Sequence, residues 1–378
     1  MAPLTSSPST SRPVLLIKAI ILRIFMRIGM FFHGYPLPGP PTPHFTRKLP
    51  VRSTRSHSIT LHFYTPKDYA QAPLNGKKYP IVVNFHGGGF CLGHATDDAR
   101  WVEVVTKTTN AVAVSVGYRL APEHPFPAAV DDGVDALLYL QEHASELHLD
   151  ISRVTLSGFS AGGNLVFAVP FRLRALFSEL EFQDTNHPFL SSASSSIHNS
   201  SRPDLHHHDS SRKLLTTTPI PTHLDLQIVS LVSWYPILDF VLPREVRRNR
   251  SVYPEKSLPE RLTTLFDDSY LPNHADRASP FASPIHASDH LLSHAIPTDV
   301  FIYMCEWDML LHEGQQFVHR LEKQGKKVRS MMIEQSKHAW DKSVNPFRDQ
   351  EKIDVFYLAA AEQMRRIFER VSGEAEGC

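Results

Sequence analysis

An α/β fold with a mostly parallel central sheet flanked by helices is predicted by three observations. A strand-like apolar run, Tyr79-Pro-Ile-Val-Val-Asn-Phe85, leads straight into the glycine-rich stretch His86-Gly87-Gly88-Gly89-Phe90. A second run, Arg153-Val-Thr-Leu-Ser157, leads into Gly158-Phe159-Ser160-Ala161-Gly162 and then into a helix-like segment from Ala161. Two late runs, Asp299-Val-Phe-Ile-Tyr-Met-Cys305 and Val328-Arg-Ser-Met-Met-Ile333, end in Glu306-Trp307-Asp308 and Glu334-Gln-Ser-Lys-His338. Short continuous apolar runs fit strands buried on both faces of a parallel sheet. The loops past the carboxyl ends of such strands build the site, so all four loops fall on one edge.

Length and composition fit one large domain: 378 residues with 42% hydrophobic content bury a sizeable core. The formal net charge is zero, which gives no electrostatic reason to expect nucleic acid as a partner. Three cysteines, Cys91, Cys305 and Cys378, without C-x-x-C spacing suggest neither a disulfide framework nor a metal site, and no cofactor motif is present.

The N-terminal region, residues 1–50, carries an amphipathic helix over Val14 to His33. Ile17, Ile20, Ile21, Ile24, Ile28 and Phe31 recur at spacings of three and four, with Arg23 and Arg27 expected on the other side. No acidic residue precedes Asp68. Lys18, Arg23 and Arg27 argue against a membrane-spanning helix and against a cleavable signal peptide, whose apolar core should be uncharged. The apolar face is expected either to cover a site mouth or to lie in a membrane interface, so the compartment is left between cytoplasmic and peripherally membrane-associated, the endoplasmic reticulum included. A mitochondrial presequence is a third reading. Tyr35-Pro-Leu-Pro-Gly-Pro-Pro-Thr-Pro43 then ends the helix.

Residues 51–378 form the main domain. The strand Tyr79 to Phe85 feeds three consecutive glycines whose N–H groups no side chain obstructs. Such donors stabilise a developing oxyanion by about 3–4 kcal/mol each. A Gly-rich loop could instead cradle a phosphate, but the Lys-Ser/Thr that a P-loop requires does not follow. Further on, strand, Gly-x-Ser-x-Gly and helix together give a nucleophile elbow, a strained turn that puts the Ser160 hydroxyl in the open. The helix after it should end near Phe177. From about 178 to 225 periodicity is lost: Ser191 to Ser211 contains nine serines and the run His206-His207-His208-Asp209, the composition of a flexible polar insertion rather than a metal site. The sequons at Asn199 and Asn249 decide nothing about secretion. The next core strand is expected over Leu226 to Trp234.

The last two strands supply the remaining reacting groups. Ser160 is the nucleophile, His338 the general base and then acid, and Asp308 the group that orients the imidazole. His338 stands out among 22 histidines because it alone follows serine and acid in chain order and sits after a late strand.

At these residues the chain resembles the hormone-sensitive-lipase-like carboxylesterases of the α/β-hydrolase fold, over roughly Leu61 to Arg370. Besides His86-Gly-Gly-Gly89 and Gly158 to Gly163, the resemblance rests on Tyr118-Arg-Leu-Ala-Pro-Glu-His-Pro-Phe-Pro-Ala-Ala-Val-Asp-Asp132. It implies an α/β-hydrolase fold with a helical cap, a serine esterase working on small-molecule esters without cofactor or metal, and oxyanion donors at the N–H groups of Gly88, Gly89 and Ala161. Tyr118 to Asp132 would then be support rather than the source of the acid. The family builds caps from N-terminal helices, and a second cap segment is expected over Pro243 to Pro284, with Ser257-Leu-Pro-Glu260 as a capping box. The chain departs from the family in having Phe159 for the usual Asp, Asp308-Met-Leu310 for Asp-Pro-Leu, and His338-Ala-Trp340 for His-Gly-Phe. The last change suggests altered packing near the acyl pocket. Acyl transfer, release of a metabolite acyl group or a non-catalytic receptor would use the same fold. The receptor type lacks the histidine that this chain has.

Overall fold

The computed structural model describes residues 10–54, 56–185, 221 and 223–376. The Ser- and His-rich centre of the expected insertion, with His206 to Asp209 and Asn199, lies outside them, as does Cys378. The strands are β1 (Phe45–Pro50), β2 (Ser58–Tyr64), β3 (Tyr79–Phe85), β4 (Val112–Gly117), β5 (Leu149–Phe159), β6 (Ile228–Trp234), β7 (Asp299–Cys305) and β8 (Lys327–Ile333). The helices are α1 (Arg12–Gly34), α2 (Ala72–Asn75), α3 (Ala99–Thr109), α4 (Ala128–Glu142), α5 (Ala161–Thr185), α6 (Arg244–Arg250), α7 (Glu260–Tyr270), α8 (Asp289–Ala295), α9 (Leu311–Lys323) and α10 (Gln350–Glu376).

The strands form one sheet in the order β1-β2-β4-β3-β5-β6-β7-β8. Only β2 runs against its neighbours, pairing antiparallel with β1 and β4; from β4 to β8 every pair is parallel. Alternation along each central strand divides the core between two faces. Ile81, Val83 and Phe85 of β3 and Val300, Ile302 and Met304 of β7 pack under α4, α5 and α9. Val82, Phe301, Tyr303 and Cys305 face the other way, under α3 and α10, with Trp101, Phe159, Trp234 and Tyr357. Cys91 and Cys305 are buried and unpaired with each other.

Three local details differ from the sequence reading. Helix α5 runs past Phe177 to Thr185, even with Pro170 inside it. Ser257 does not cap α7: the helix starts at Glu260, after an extended Pro259 (φ −55°, ψ 137°). The ring of Pro259 disfavours helical backbone at Leu258, so the turn that a capping box needs cannot form there. The third difference is the orientation of α1. Leu15, Ala19, Leu22 and Met26 face the body, and Arg23 turns inward with them. Its guanidinium donates to the carbonyls of Cys91 (2.8 Å) and Ala121 (2.9 Å) and to both carboxylate oxygens of Glu123 (2.6 and 2.9 Å). The isoleucine face, expected either to cover a site mouth or to lie in a membrane interface, points outward. The helix carries two apolar stripes, and the narrower one can close against the body because Arg23, on its edge, finds a fork of acceptors there.

Candidate active site

Steric facts at Gly158 and Gly162 define the turn between β5 and α5. A Cβ on Gly162 would lie 1.9 Å from the Phe85 carbonyl oxygen, and one on Gly158 would lie 2.3 Å from that of Gly162. Only glycines let strand, turn and helix approach so closely. Ser160, at the apex, has φ +54°, a conformation that costs a non-glycine residue about 1–3 kcal/mol. Its N–H donates to the Trp234 carbonyl at 2.8 Å, which helps hold the strain in place.

The geometry brings the three predicted reacting groups together from the ends of three strands. The Ser160 hydroxyl donates to His338 Nε2 at 2.8 Å, and His338 Nδ1–H donates to Asp308 Oδ2 at 2.6 Å. Asp308 and His338 are buried. Asp308 Oδ1 accepts the Leu310 N–H at 3.1 Å. The loops carrying acid and histidine are sewn together by Glu306 N–H to the Ile333 carbonyl (3.1 Å) and Trp307 N–H to the Ser336 carbonyl (2.9 Å). The neighbouring acids are occupied elsewhere. Glu306 accepts the Gln335 N–H at 2.6 Å. Glu313 is buried, accepts the Leu238 N–H at 2.7 Å and faces Arg247 at 3.3 Å. Burial pushes its pKa up to about 7 against the pull of Arg247.

The glycine stretch lies beside Ser160. Gly88 (φ +115°) and Gly89 (φ +60°) adopt left-handed backbone, and their N–H groups donate to no acceptor among the described residues. A Cβ on Gly88 would meet the Leu92 carbonyl oxygen at 2.3 Å; one on Gly89 would meet the Phe266 ring at 2.3 Å. Helix α7 therefore rests on the glycine loop through Phe266, and Phe90 stacks on Tyr270 with centroids 3.7 Å apart. Ala161, the third predicted donor, opens α5 directly after Ser160. His86 is buried, its ring stacked on Tyr118 (4.2 Å) and its Nδ1–H given to the Gly87 carbonyl at 2.8 Å. Burial lowers its pKa to about 4, so the ring is neutral and acts as a brace.

The Tyr118 to Asp132 run supports this loop. The Tyr118 hydroxyl donates to the His86 carbonyl at 2.7 Å. Asp132 accepts the Arg119 N–H at 2.7 Å and pairs with its guanidinium at 2.6 Å, and Asp131 pairs with Arg172 at 3.0 Å. Trp340 packs edge-on against Phe356 of α10. Among the described residues no three His, Cys, Asp or Glu side chains are grouped as a metal would need.

Two neighbours of the triad went unnoticed in the sequence. Tyr235 sets its ring edgewise to His338, with centroids 5.0 Å apart. Lys342 lies beneath Phe159. A signal for both exists: Tyr235 directly follows a core strand, and the pair Asp341-Lys342 lies within four residues of His338.

Comparisons with known proteins bear on the fold and the family. A family model described as alpha/beta hydrolase fold matches residues 82–226 and 220–342. Human arylacetamide deacetylase-like 2 is 28% identical over 320 residues, 77% of this chain and 73% of that protein. The arylesterase of Saccharolobus solfataricus is 26% identical over 294 residues, 78% of each. Carboxylesterase 20 of Arabidopsis thaliana is 41% identical over 145 residues, but the match spans only 36% of this chain and 43% of that protein. Among solved structures, a hyperthermophilic esterase from Pyrobaculum calidifontis superposes with a TM-score of 0.66 at 24% identity, covering 97% of this chain and 94% of that one. The chain belongs to the α/β-hydrolase fold family, in its hormone-sensitive-lipase-like carboxylesterase branch.

Proposed function

We propose that the protein is a serine carboxylesterase that cleaves its ester through an acyl-enzyme at Ser160. The observation that carries this reading is the unbroken relay from Ser160 Oγ to His338 Nε2 and from His338 Nδ1 to Asp308, 2.8 and 2.6 Å long. His338 takes the hydroxyl proton as Oγ attacks the ester carbonyl. The resulting oxyanion sits against the N–H groups of Gly88, Gly89 and Ala161. The tetrahedral intermediate collapses as His338 gives its proton to the leaving alcohol. Water then repeats the attack on the acyl-serine, with His338 again as base. A fluorophosphonate probe should label the protein at one site, and Ser160→Ala should abolish the label. Hydrolysis of p-nitrophenyl esters, assayed from short to long acyl chains, should accompany it. Absence of labelling in the folded protein would favour a receptor on the same fold, and ester products formed with an added alcohol in preference to acid would favour acyl transfer.

The outward face of α1 supports contact with a lipid surface, where the substrate would partition. Ile17, Ile24, Phe25 and Phe31 are 58%, 55%, 64% and 70% exposed, on one side of a single helix. At about 100° per residue, Lys18 and Arg27 flank this ridge, the charge of Arg27 also reaching Asp97 of the body. An apolar ridge with cationic margins fits the headgroup boundary of an anionic bilayer. No helix among the described residues is long and apolar enough to cross a membrane. The protein should sediment with vesicles containing phosphatidylserine. Ile20→Asp with Ile24→Asp should weaken that binding at least ~10-fold, since each buries several CH₂ groups worth about 0.8 kcal/mol apiece, while turnover of a soluble ester stays unchanged. If the same pair instead disperses a dimer seen by ultracentrifugation, a second copy of the chain covers the ridge.

A further inference from the structure

The loops that carry the site converge on one half-buried ammonium, that of Lys342. Lys342 Nζ lies 2.8 Å from Asp98 Oδ1, 3.2 Å from Asp341 Oδ2 and 4.0 Å from the centroid of the Phe159 ring. Each partner reaches a different part of the site. Phe159 directly precedes Ser160. Asp341 and Lys342 follow His338 in the same loop, through Ala339 at φ +56° and a short 3-10 turn. Asp98 accepts from Asn84 Nδ2 at 2.9 Å, and Asn84 stands two residues before His86 on the strand that feeds the glycine loop. Asp341 also accepts from the Tyr235 hydroxyl at 2.5 Å and from the Tyr357 hydroxyl, and the Tyr235 ring abuts His338.

Stability alone is a poor reason for such a cluster. Two carboxylates and one ammonium are taken out of water together, and apolar side chains of the same volume commonly serve a core as well or better. What the cluster offers is geometry, because each ion fixes the direction of the others. Burial by itself would lower the Lys342 pKa, but the charges of Asp341 and Asp98 outweigh it and hold the group above its ordinary value. Burial would likewise raise Asp341, yet the Lys342 charge and the two tyrosine hydroxyls keep it below the usual carboxylate range. Burial holds Asp98 above the usual carboxylate range against the pull of Lys342 and Asn84, so Lys342 and Asp341 are the charged pair of the cluster at neutral pH.

We propose that Lys342 is a positioning residue for the ester hydrolysis proposed above: it ties the histidine loop to the nucleophile turn through the face of Phe159 and through Asp98, and so sets the contact between Ser160 and His338. The ring is part of the device, since the cation–π attraction is what links ammonium and elbow directly. A relay of this kind tolerates about 0.5 Å of error, and a shift near 1 Å costs about 10²-fold in rate.

The test uses Phe159→Leu, which removes the ring but stays apolar and keeps every charge, together with Lys342→Met, Lys342→Arg and the Phe159→Leu/Lys342→Met pair. Two quantities are read in folded protein: kcat and KM on p-nitrophenyl acetate, and the far-downfield proton resonance of His338 Nδ1–H against Asp308. Lys342→Met should lower kcat by about 10²-fold and Phe159→Leu by about 10-fold, with KM within about twofold of the parent. The pair should be no worse than Lys342→Met alone, and Lys342→Arg should recover most of the rate. The resonance should move or broaden in Lys342→Met and Phe159→Leu but not in Lys342→Arg. An unchanged resonance, or an unchanged kcat, in folded Phe159→Leu or Lys342→Met overturns the assignment. If the parent protein hydrolyses no ester, the esterase reading falls by itself, and the resonance still decides whether Lys342 places the histidine.

Discussion

Asp308→Asn is expected to lower kcat by about four orders of magnitude while the fold holds, the size of effect known for the corresponding change in a serine protease. The cause is local. Asp308 accepts the Nδ1 proton of His338 at 2.6 Å and thereby leaves Nε2 bare toward Ser160. An amide at the same place can turn its NH₂ toward Nδ1, which favours the tautomer with the proton on Nε2, where it cannot accept from the serine. The two nearby glutamates give the contrast. Glu306→Gln loses a charge that accepts one backbone N–H outside the relay, and it should leave turnover within a few-fold. Glu313→Gln disturbs a buried pair with Arg247 and should show itself in thermal stability rather than in kcat. Steady-state kinetics on a p-nitrophenyl ester, with circular dichroism to confirm folding, checks all three. Near-normal turnover in Asp308→Asn with loss in a glutamate variant would move the acid to that glutamate and leave the esterase reading standing.

The triad was legible because its signals are local. Each reacting group follows a buried strand, and a parallel sheet puts the carboxyl ends of its strands on one edge whatever the loops do. Ser160, Asp308 and His338 could therefore be placed without knowing how β5, β7 and β8 pair. The same logic places the glycine loop after β3. What the sequence did not yield depends on which of several surfaces meet. Helix α1 has two apolar stripes, and periodicity alone cannot tell which one faces the body; the choice is made by acceptors 68 to 100 positions away, at Cys91, Ala121 and Glu123. The start of α7 was misplaced because a capping pattern was given more weight than the stiffness of a proline inside it. Lys342 was missed for a similar reason. A lysine in a loop is by default a solvated residue, and only the meeting of Asp98, Asp341 and Phe159 turns it inward.

Gly88→Ala should be nearly as damaging to turnover as loss of the acid, and the reason is a backbone collision rather than a lost side chain. At φ +115° an alanine is already strained, and its Cβ would stand 2.3 Å from the Leu92 carbonyl oxygen. That oxygen belongs to the turn that closes the loop, with Leu92 N–H bonded to the Gly88 carbonyl at 2.8 Å, so it cannot swing aside without opening the turn. The loop must shift, and the Gly88 and Gly89 N–H groups leave the place proposed for the oxyanion. Losing one such donor costs about 10²–10³ in kcat, and displacing two costs more, with little change in KM because the charge develops only after binding. Gly89→Ala is a different case. At φ +60° the backbone is accessible to alanine at modest cost, and the obstacle is the Phe266 ring, a side chain. Phe266→Ala should therefore restore a large part of the activity lost in Gly89→Ala, and none of that lost in Gly88→Ala. Gly76→Ala, at φ +66° with nothing within 4 Å of the new Cβ, controls for left-handed strain alone and should leave kcat unchanged. Measuring kcat and KM for the five variants on one ester separates collision from strain. Full activity in folded Gly88→Ala would show that the oxyanion is stabilised elsewhere than at this loop.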